Sequence, residues 1–463
     1  MMSTITGLSR SANIKWLITV VLTVICLVIP EQGIYTHEVK LFLAVTVFSL
    51  ALMAFEIVPA LFIAFVMPVS WMFLNLAPAS VVMSNYASTT IVMIAGSMFL
   101  GATLEDCGLL KRIAFALMCL SKGSYFALLI AIMITGMILN ILAAGMGYLV
   151  IAALAAGLCV SLDGMNKRIG VGIATAAMLG GCTSHSFTYQ AGMWSLIMNM
   201  GSDYLAPTVI TPLSLMMHCW PMFFICLLIL FIVAKWYKPE APLGEVTYFK
   251  ETLNAMGPLT RREKANLLMM SILLIYTFTV DFHKLDLNLG FGLIPWMVYL
   301  PFINGADEET VKKFNVPMVF FMGSCMGIGS VATHLGLGDA IANACIEMLA
   351  GNTSPAVIMA LVFVVVFILN FLMTPMAIFA LITVPMCILA TNAGFSPIPF
   401  MYAINACSEA ILLPYEYVPY LIIYSYGMMS MIDFIKVNIL RSVVFFAGFL
   451  ILLIPYWTLI GLF

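Results

Sequence analysis

Four clusters of polar residues interrupt otherwise apolar stretches of this chain. Asn140 stands in MILNILAAGMG (Met137–Gly147), followed by small, flexible residues. GGCTSHSFTYQAG (Gly180–Gly192) is the densest hydroxyl and amide patch, with Thr183, Ser184, His185, Ser186 and Thr188. Asn370, Thr374 and Pro375 share FILNFLMTPMAI (Phe367–Ile378). SEAILLPYEYVPY (Ser408–Tyr420) carries Glu409, Pro414, Glu416, Tyr417 and Pro419. Inside hydrocarbon an unsatisfied polar group costs several kcal/mol, so such residues belong on a protein-walled cavity. Gly and Pro free backbone groups there, and broken-helix ends suit small ions: N-termini take anionic groups and carbonyls take cations. Intramembrane carboxylates are rare and usually functional, which singles out Glu409 and Glu416. His185, with its polar neighbours, is a candidate proton carrier.

A lone buried Asn commonly glues two helices, and a lone His is more often a satisfied core residue. It is the matched positions of Asn140 and Asn370, and the density around His185, that favour a site. Glu105 and Asp106 stand beside Lys111 and Arg112 and mark a helix end; His334 and Asp339 look similar, and Glu56 in MAFEIVPA reads as a turn residue. The 36 methionines show no regular spacing and read as adaptable packing. The 11 cysteines sit mostly singly, without a CxxC pair, so no disulfide framework is expected. There is no GxSxG, HExxH or phosphate-cradling Gly-Lys-Ser/Thr loop. No catalytic residues, ATP-driven transport or organic cofactor are expected.

The elements that must position these clusters are transmembrane helices. The 463 residues are 63% hydrophobic and 9% charged, against about 25% charged in a soluble domain. A net charge of −2 argues against a nucleic-acid partner. Leu17–Val28 is followed by Ile-Pro-Glu-Gln rather than a small-residue cleavage site, so it reads as a retained first helix. About 20 residues cross the hydrocarbon core, yet segments 124–160 and 354–392 are nearly twice that, each with a polar interruption near its middle. Reading both as re-entrant hairpins, with a cytoplasmic N-terminus, puts 17 of the 19 basic residues on the cytoplasmic side, Arg441 among them; only Lys40 and Lys284 fall outside. The expected fold is therefore an all-α polytopic membrane protein with about 11 crossings, two hairpins of opposite orientation and an outer C-terminus.

The halves also match in order. AGSMFLGATLEDCGLLKRIA (Ala95–Ala114) parallels MGSCMGIGSVATHLGLGDAIA (Met322–Ala342), and a hairpin with Ile-Leu-Asn and a broken helix follow each. Opposed halves make an inverted repeat, the architecture of many secondary transporters, whose sites lie at interrupted helices near the midplane. The expected organisation is scaffold helices over 1–120, a first transport half over 121–235, a cytoplasmic loop over 236–263, scaffold helices over 264–350, and a second transport half over 351–463.

This order resembles the divalent-anion:sodium symporter (DASS) family of the ion-transporter superfamily, from roughly residue 40 onward. The best local matches are GSMFLGATLEDCGLLKRIA, the hairpin tips and ILLPYEYVPYLIIYSYGMMSMIDFIK. The resemblance implies homodimers in which a transport domain moves like an elevator against a scaffold. It further implies a Ser-Asn-Thr at each tip and a Thr-Pro-Pro in each broken helix, holding sodium and substrate carboxylates. Here the tips fall on Leu139-Asn140-Ile141 and Leu369-Asn370-Phe371, where only the asparagines survive. The Thr-Pro-Pro positions fall on Thr188-Tyr189-Gln190 and Tyr417-Val418-Pro419, keeping Thr188 and Pro419. Sodium is then expected on backbone carbonyls near Asn140 and Asn370.

The expected function is secondary transport of a small organic, carboxylated anion across the cytoplasmic membrane, coupled to Na+ or H+ or run by exchange. No Lys or Arg is expected near the tips, so helix N-termini and a co-transported cation must offset the solute's charge. The rivals are an ion channel with re-entrant pore hairpins and an intramembrane enzyme using Glu409 and Glu416 as a carboxylate pair.

Overall fold

The computed structural model describes residues 10–463 except 34, 55–56, 120–123, 143–144, 146, 163, 166, 206–209, 240–246, 284, 302, 313–315, 338–339, 341–342, 345–346, 348–353 and 372–374. Thr374, Glu56 and Asp339 therefore lie outside the described residues, as do Lys122, Lys284 and Lys313.

The chain is all helical, and among the described residues the only β pairing is a lone bridge between Gln32 and Tyr35. In order, the helices are α1 (Arg10–Val28), α2 (His37–Ala54), α3 (Ala60–Phe73), α4 (Thr89–Asp106), α5 (Leu109–Met118) and α6 (Tyr125–Leu142). There follow α7 (Gly147–Ser161), α8 (Arg168–Gly181), α9 (Ala191–Met200), α10 (Pro212–Cys219), α11 (Pro221–Trp236) and α12 (Arg261–Phe278). The last are α13 (Val316–His334), α14 (Pro355–Asn370), α15 (Pro375–Asn392), α16 (Pro397–Cys407), α17 (Val418–Ser425) and α18 (Met431–Gly448). Short helical turns fill several of the connections. Among the described residues, two helices are long and apolar enough to cross a membrane unaided: α6, and α18, which runs on through a π-helical stretch at Phe449–Leu453 to give Met431–Leu459. Two bent pairs, α4 with α5 (71°) and α10 with α11 (53°), pass the same test jointly, and the other apolar helices are shorter. The second bend falls where Pro221 removes a backbone donor.

The residues gather into two compact units. The first holds Met1–Ile91, Leu196–Leu205 and Val316–Ile404. Its core is α3 against α13. Gly327 faces the Trp71 ring and Gly323 faces Tyr86, so these small residues let bulky rings lie against the helix backbone. The Tyr86 and Ser324 hydroxyls are 2.6 Å apart and both donate to the Ala64 carbonyl, at 3.0 and 2.6 Å. Asn85 Nδ2 donates to Ser330 at 2.8 Å. The hairpin of α14 and α15 belongs to this unit.

The second unit holds Val92–Ser195, Ala206–Asn315 and Asn405–Phe463. Here α6 and α8 cross backbone to backbone: a Cβ on Gly136 would lie 2.8 Å from the Gly180 carbonyl carbon, closer than real side chains come. The legs of the α6–α7 hairpin close just as tightly, with Gly147 pressed against Leu139 and Asn140. At one end of this unit Arg112 donates to Glu263 at 2.7 and 3.2 Å and to the carbonyls of Gly257 (2.6 Å) and Met256 (3.1 Å). Glu263 is also the capping partner of Thr260 at the start of α12. Arg262, Asp307, Thr310 and Asp106 form a second polar clasp beside it. Glu105 and Asp106 thus end α4, as the sequence indicates.

Candidate functional site

Nearly every polar side chain singled out in the second unit is buried, and most meet around one break. Helix α8 stops at Gly180-Gly181, Cys182 caps it, and Thr183–Ser186 form a 3-10 turn before α9 begins. Ser184 is the hinge of this turn: its carbonyl accepts Phe187 N at 3.1 Å, and Thr188 N and Oγ1 at 2.8 and 2.7 Å. Asn405, buried on α16, donates to the His185 carbonyl at 3.0 Å. The hairpin tip comes to the same turn, with Asn140 Nδ2 3.2 Å from Ser184 Oγ. Its backbone reverses at Gly145, whose φ of +98° is open to glycine and whose N–H donates to the Asn140 carbonyl at 2.8 Å. Asn140 Oδ1 and the neighbouring Gln190 Oε1 are buried with no hydrogen-bond donor among the described residues. Ile141 lies to one side, lining a cavity of about 20 Å³ with Leu142, Tyr189, Thr277 and Phe291.

The second break follows α16. Ser408 turns back on the Asn405 carbonyl at 2.8 Å, and Pro414–Glu416 form a 3-10 turn before α17. The two glutamates diverge here. Glu416 caps its own loop, accepting Leu413 N at 2.9 Å and Leu412 N at 3.1 Å. Glu409, 2% exposed, turns the other way. Its Oε2 accepts Tyr420 OH at 2.6 Å and faces Arg441 Nη1 at 3.4 Å, and its Oε1 is 3.3 Å from His185 Nε2. Tyr420 OH and Arg441 also reach Thr183 Oγ1, at 3.0 and 3.1 Å. Arg441 further donates to Tyr420 OH and to the carbonyls of Glu409 (2.5 Å) and Ile411 (3.3 Å), with its guanidinium 4.6 Å from the Tyr420 ring centre. Pro419 is buried on the first turn of α17, and Tyr417 packs on Tyr420.

Arg441 overturns two expectations. It is 2% exposed in the middle of the Met431–Leu459 helix, so it marks no cytoplasmic surface and leaves the positive-inside tally. A cation does stand beside the first tip's partners, paired there with Glu409. Ser430 caps α18, accepting Asp433 N at 3.2 Å, so the helix starts at Met431 and carries Arg441 into its interior. The signal was Ser-Met-Ile-Asp, together with Asn438, Arg441, Ser442 and Phe445 recurring on one buried face. Gln190 and Asn405 were likewise not singled out.

In the first unit Asn370 ends α14 and Pro375 begins α15; both are buried. Asn140 and Asn370 thus belong to different units. Among the described residues no group of three or more His, Cys, Asp and Glu side chains could hold a metal ion, and no disulfide joins the cysteines.

Paired hairpins, broken helices and a buried charged cluster define a polytopic membrane transporter rather than an enzyme. The chain belongs to the family described as "Sodium:sulfate symporter transmembrane region", whose model matches residues 10–463. Two solved structures share the fold with a TM-score of 0.56 each. The YdaH transporter of Alcanivorax borkumensis is 14% identical, with 92% of this chain and 99% of that one covered. MtrF of Neisseria gonorrhoeae, assigned to a class of antimetabolite efflux pumps, is 13% identical, with 97% and 95% covered. No curated protein matches the sequence. The family is one of secondary transporters.

Proposed function

We propose that this protein carries a small organic mono- or dicarboxylate across the cytoplasmic membrane, coupled to sodium, to protons or to an exchanged solute. The observation that carries the reading is the tip of the α6–α7 hairpin. A buried Asn140 donates to Ser184 at the broken helix while its own Oδ1 has no donor among the described residues, an arrangement suited to a ligand lodged between tip and break. Asn140 and the 183–188 turn would bind the solute in one half; Asn370, Thr374 and Pro375 would do so in the other. Glu416, Tyr417 and Pro419 would shape the second break. Sodium would lie on backbone carbonyls near Asn140 and Asn370, and Asn140 Oδ1 and Gln190 Oε1 are buried acceptors of the right kind for a hard cation. The family name speaks for an anion carried with sodium. The loss of both hydroxyls at each tip removes donors that a tetrahedral oxyanion such as sulfate would use, which supports a carboxylate. A homodimer working as an elevator, with the N-terminus inside and the C-terminus outside, completes the reading.

Uptake of labelled succinate and sulfate into proteoliposomes tests it. Succinate uptake driven by a sodium or pH gradient, or by internal succinate, is expected in the wild type and is lost in Asn140→Ala. Sulfate taken up in preference to succinate would reverse the substrate assignment; no flux of either under any gradient would overturn the reading.

A further inference from the structure

We propose that His185 Nε2 and Glu409 Oε1 hold one proton between them, and that this proton favours the binding of an anion at the adjoining hairpin tip. The second half of this statement rests on the transport reading; the first does not.

The argument is a count of donors. His185 Nδ1 is 2.6 Å from the Cys182 carbonyl, which can only accept, so Nδ1 carries a proton. In the neutral ring Nε2 is then a bare lone pair. It faces Glu409 Oε1 at 3.3 Å, and neither atom has a hydrogen bond to any other described residue. The other carboxylate oxygen already takes Tyr420 and Arg441. Two acceptors opposed at this distance in a buried site repel each other; a single proton turns the same geometry into an N–H···O bond. The side chains are 1% and 2% exposed, so water offers no substitute.

The proton also changes the charge of the cluster. Arg441 and Glu409 cancel, so with a neutral imidazole the hydrogen-bonded group of Arg441, Glu409, Tyr420, Thr183 and His185 is uncharged. With the proton it carries one positive charge, one residue from Ser184 and its contact to Asn140. The other ionisable groups facing it are Cys182 from the break, Cys226 from α11, Tyr148 from α7 and Tyr417 and Glu416 from the second break. The thiols and phenols carry no charge at neutral pH, and Glu416 is held by two backbone amides. An anion at the tip and a proton on the pair therefore favour each other by an equal factor.

The first measurement needs no substrate. Protein labelled with nitrogen-15 histidine is placed in lipid nanodiscs, and the His185 imidazole signals are identified by their loss in His185→Gln. Wild type is expected to show protons on both nitrogens. Glu409→Gln, whose amide can donate to Nε2, is expected to show only the Nδ1–H tautomer. A wild-type His185 with one proton at every pH overturns the proposal whether or not the variant folds. The second measurement is succinate and sulfate uptake into proteoliposomes after an acid-outside pH jump. A rise of roughly fivefold or more is expected, falling to no rise in His185→Gln. Sodium-driven uptake without a pH response would overturn the linkage and leave the transport reading intact. No uptake under either gradient would overturn transport and linkage together, and the shared proton would still be decided by the spectra.

Discussion

Arg441 and Glu409 are buried charges that depend on each other. Taking one charge from a buried pair leaves the other uncompensated, at a cost of about 3–5 kcal/mol, whereas replacing both by apolar groups of similar size costs far less. Arg441→Met is therefore expected to lower the thermal unfolding midpoint sharply. Arg441→Met with Glu409→Met should recover much of the loss, as read from melting curves in one detergent. Glu416 differs in kind, since its partners are backbone amides. Glu416→Ala should cost about 1–3 kcal/mol for two unmet donors without altering how uptake responds to pH. Both carboxylates were visible in the sequence as rare groups among apolar neighbours. Which one would find a cation was not, because the cation comes from a helix that starts 22 residues after Glu409.

At the scale of elements, breaks were easier to foresee than starts. Gly180-Gly181, Pro414 and Pro419 announce interruption by what they lack: side chains in one case, backbone donors in the other. The hairpin at Asn140 was legible for the same reason, since a helix of twice the membrane's thickness must turn. The beginning of α18 depends instead on one hydroxyl and one carboxylate outside the apolar run. Ser430→Ala should cost about 1 kcal/mol, and Ser430→Asp should preserve stability; chemical denaturation of the two variants compares them. The α6–α8 crossing is less forgiving. Gly136→Val must push its side chain into the Gly180 backbone, and no rotamer relieves that. Loss of folded, monodisperse protein on size-exclusion chromatography is expected, with Gly136→Ala intermediate.

Across the whole molecule, composition alone set the class, and the order of hairpins and breaks set the family. The pairing of residues far apart in the chain needed coordinates. Arg112 and Glu263 illustrate this: they stand 151 residues apart, yet together they fasten the loop before α12. Arg112→Ala should expose that loop, and faster cleavage by trypsin after Lys250 would report it. Asp307 offers a test by pH. Hydrogen bonds from the Thr310 backbone and hydroxyl hold its carboxyl below the ordinary 3.8. The folded state therefore binds this proton less readily than the unfolded chain. Its contribution is complete above about pH 4 and is lost as pH falls through the lowered value. The melting difference between wild type and Asp307→Asn should follow that course.

The contact of Gly136 with Gly180 has a mechanical consequence. Two helices that meet through main-chain atoms have no flexible side chains between them to stretch or compress, so relative motion across that seam is confined to sliding or to rigid travel together. Asn140 lies about one turn beyond the seam on one helix, and Ser184 about one turn beyond it on the other. Tip and break on this half are therefore geared to move as one piece.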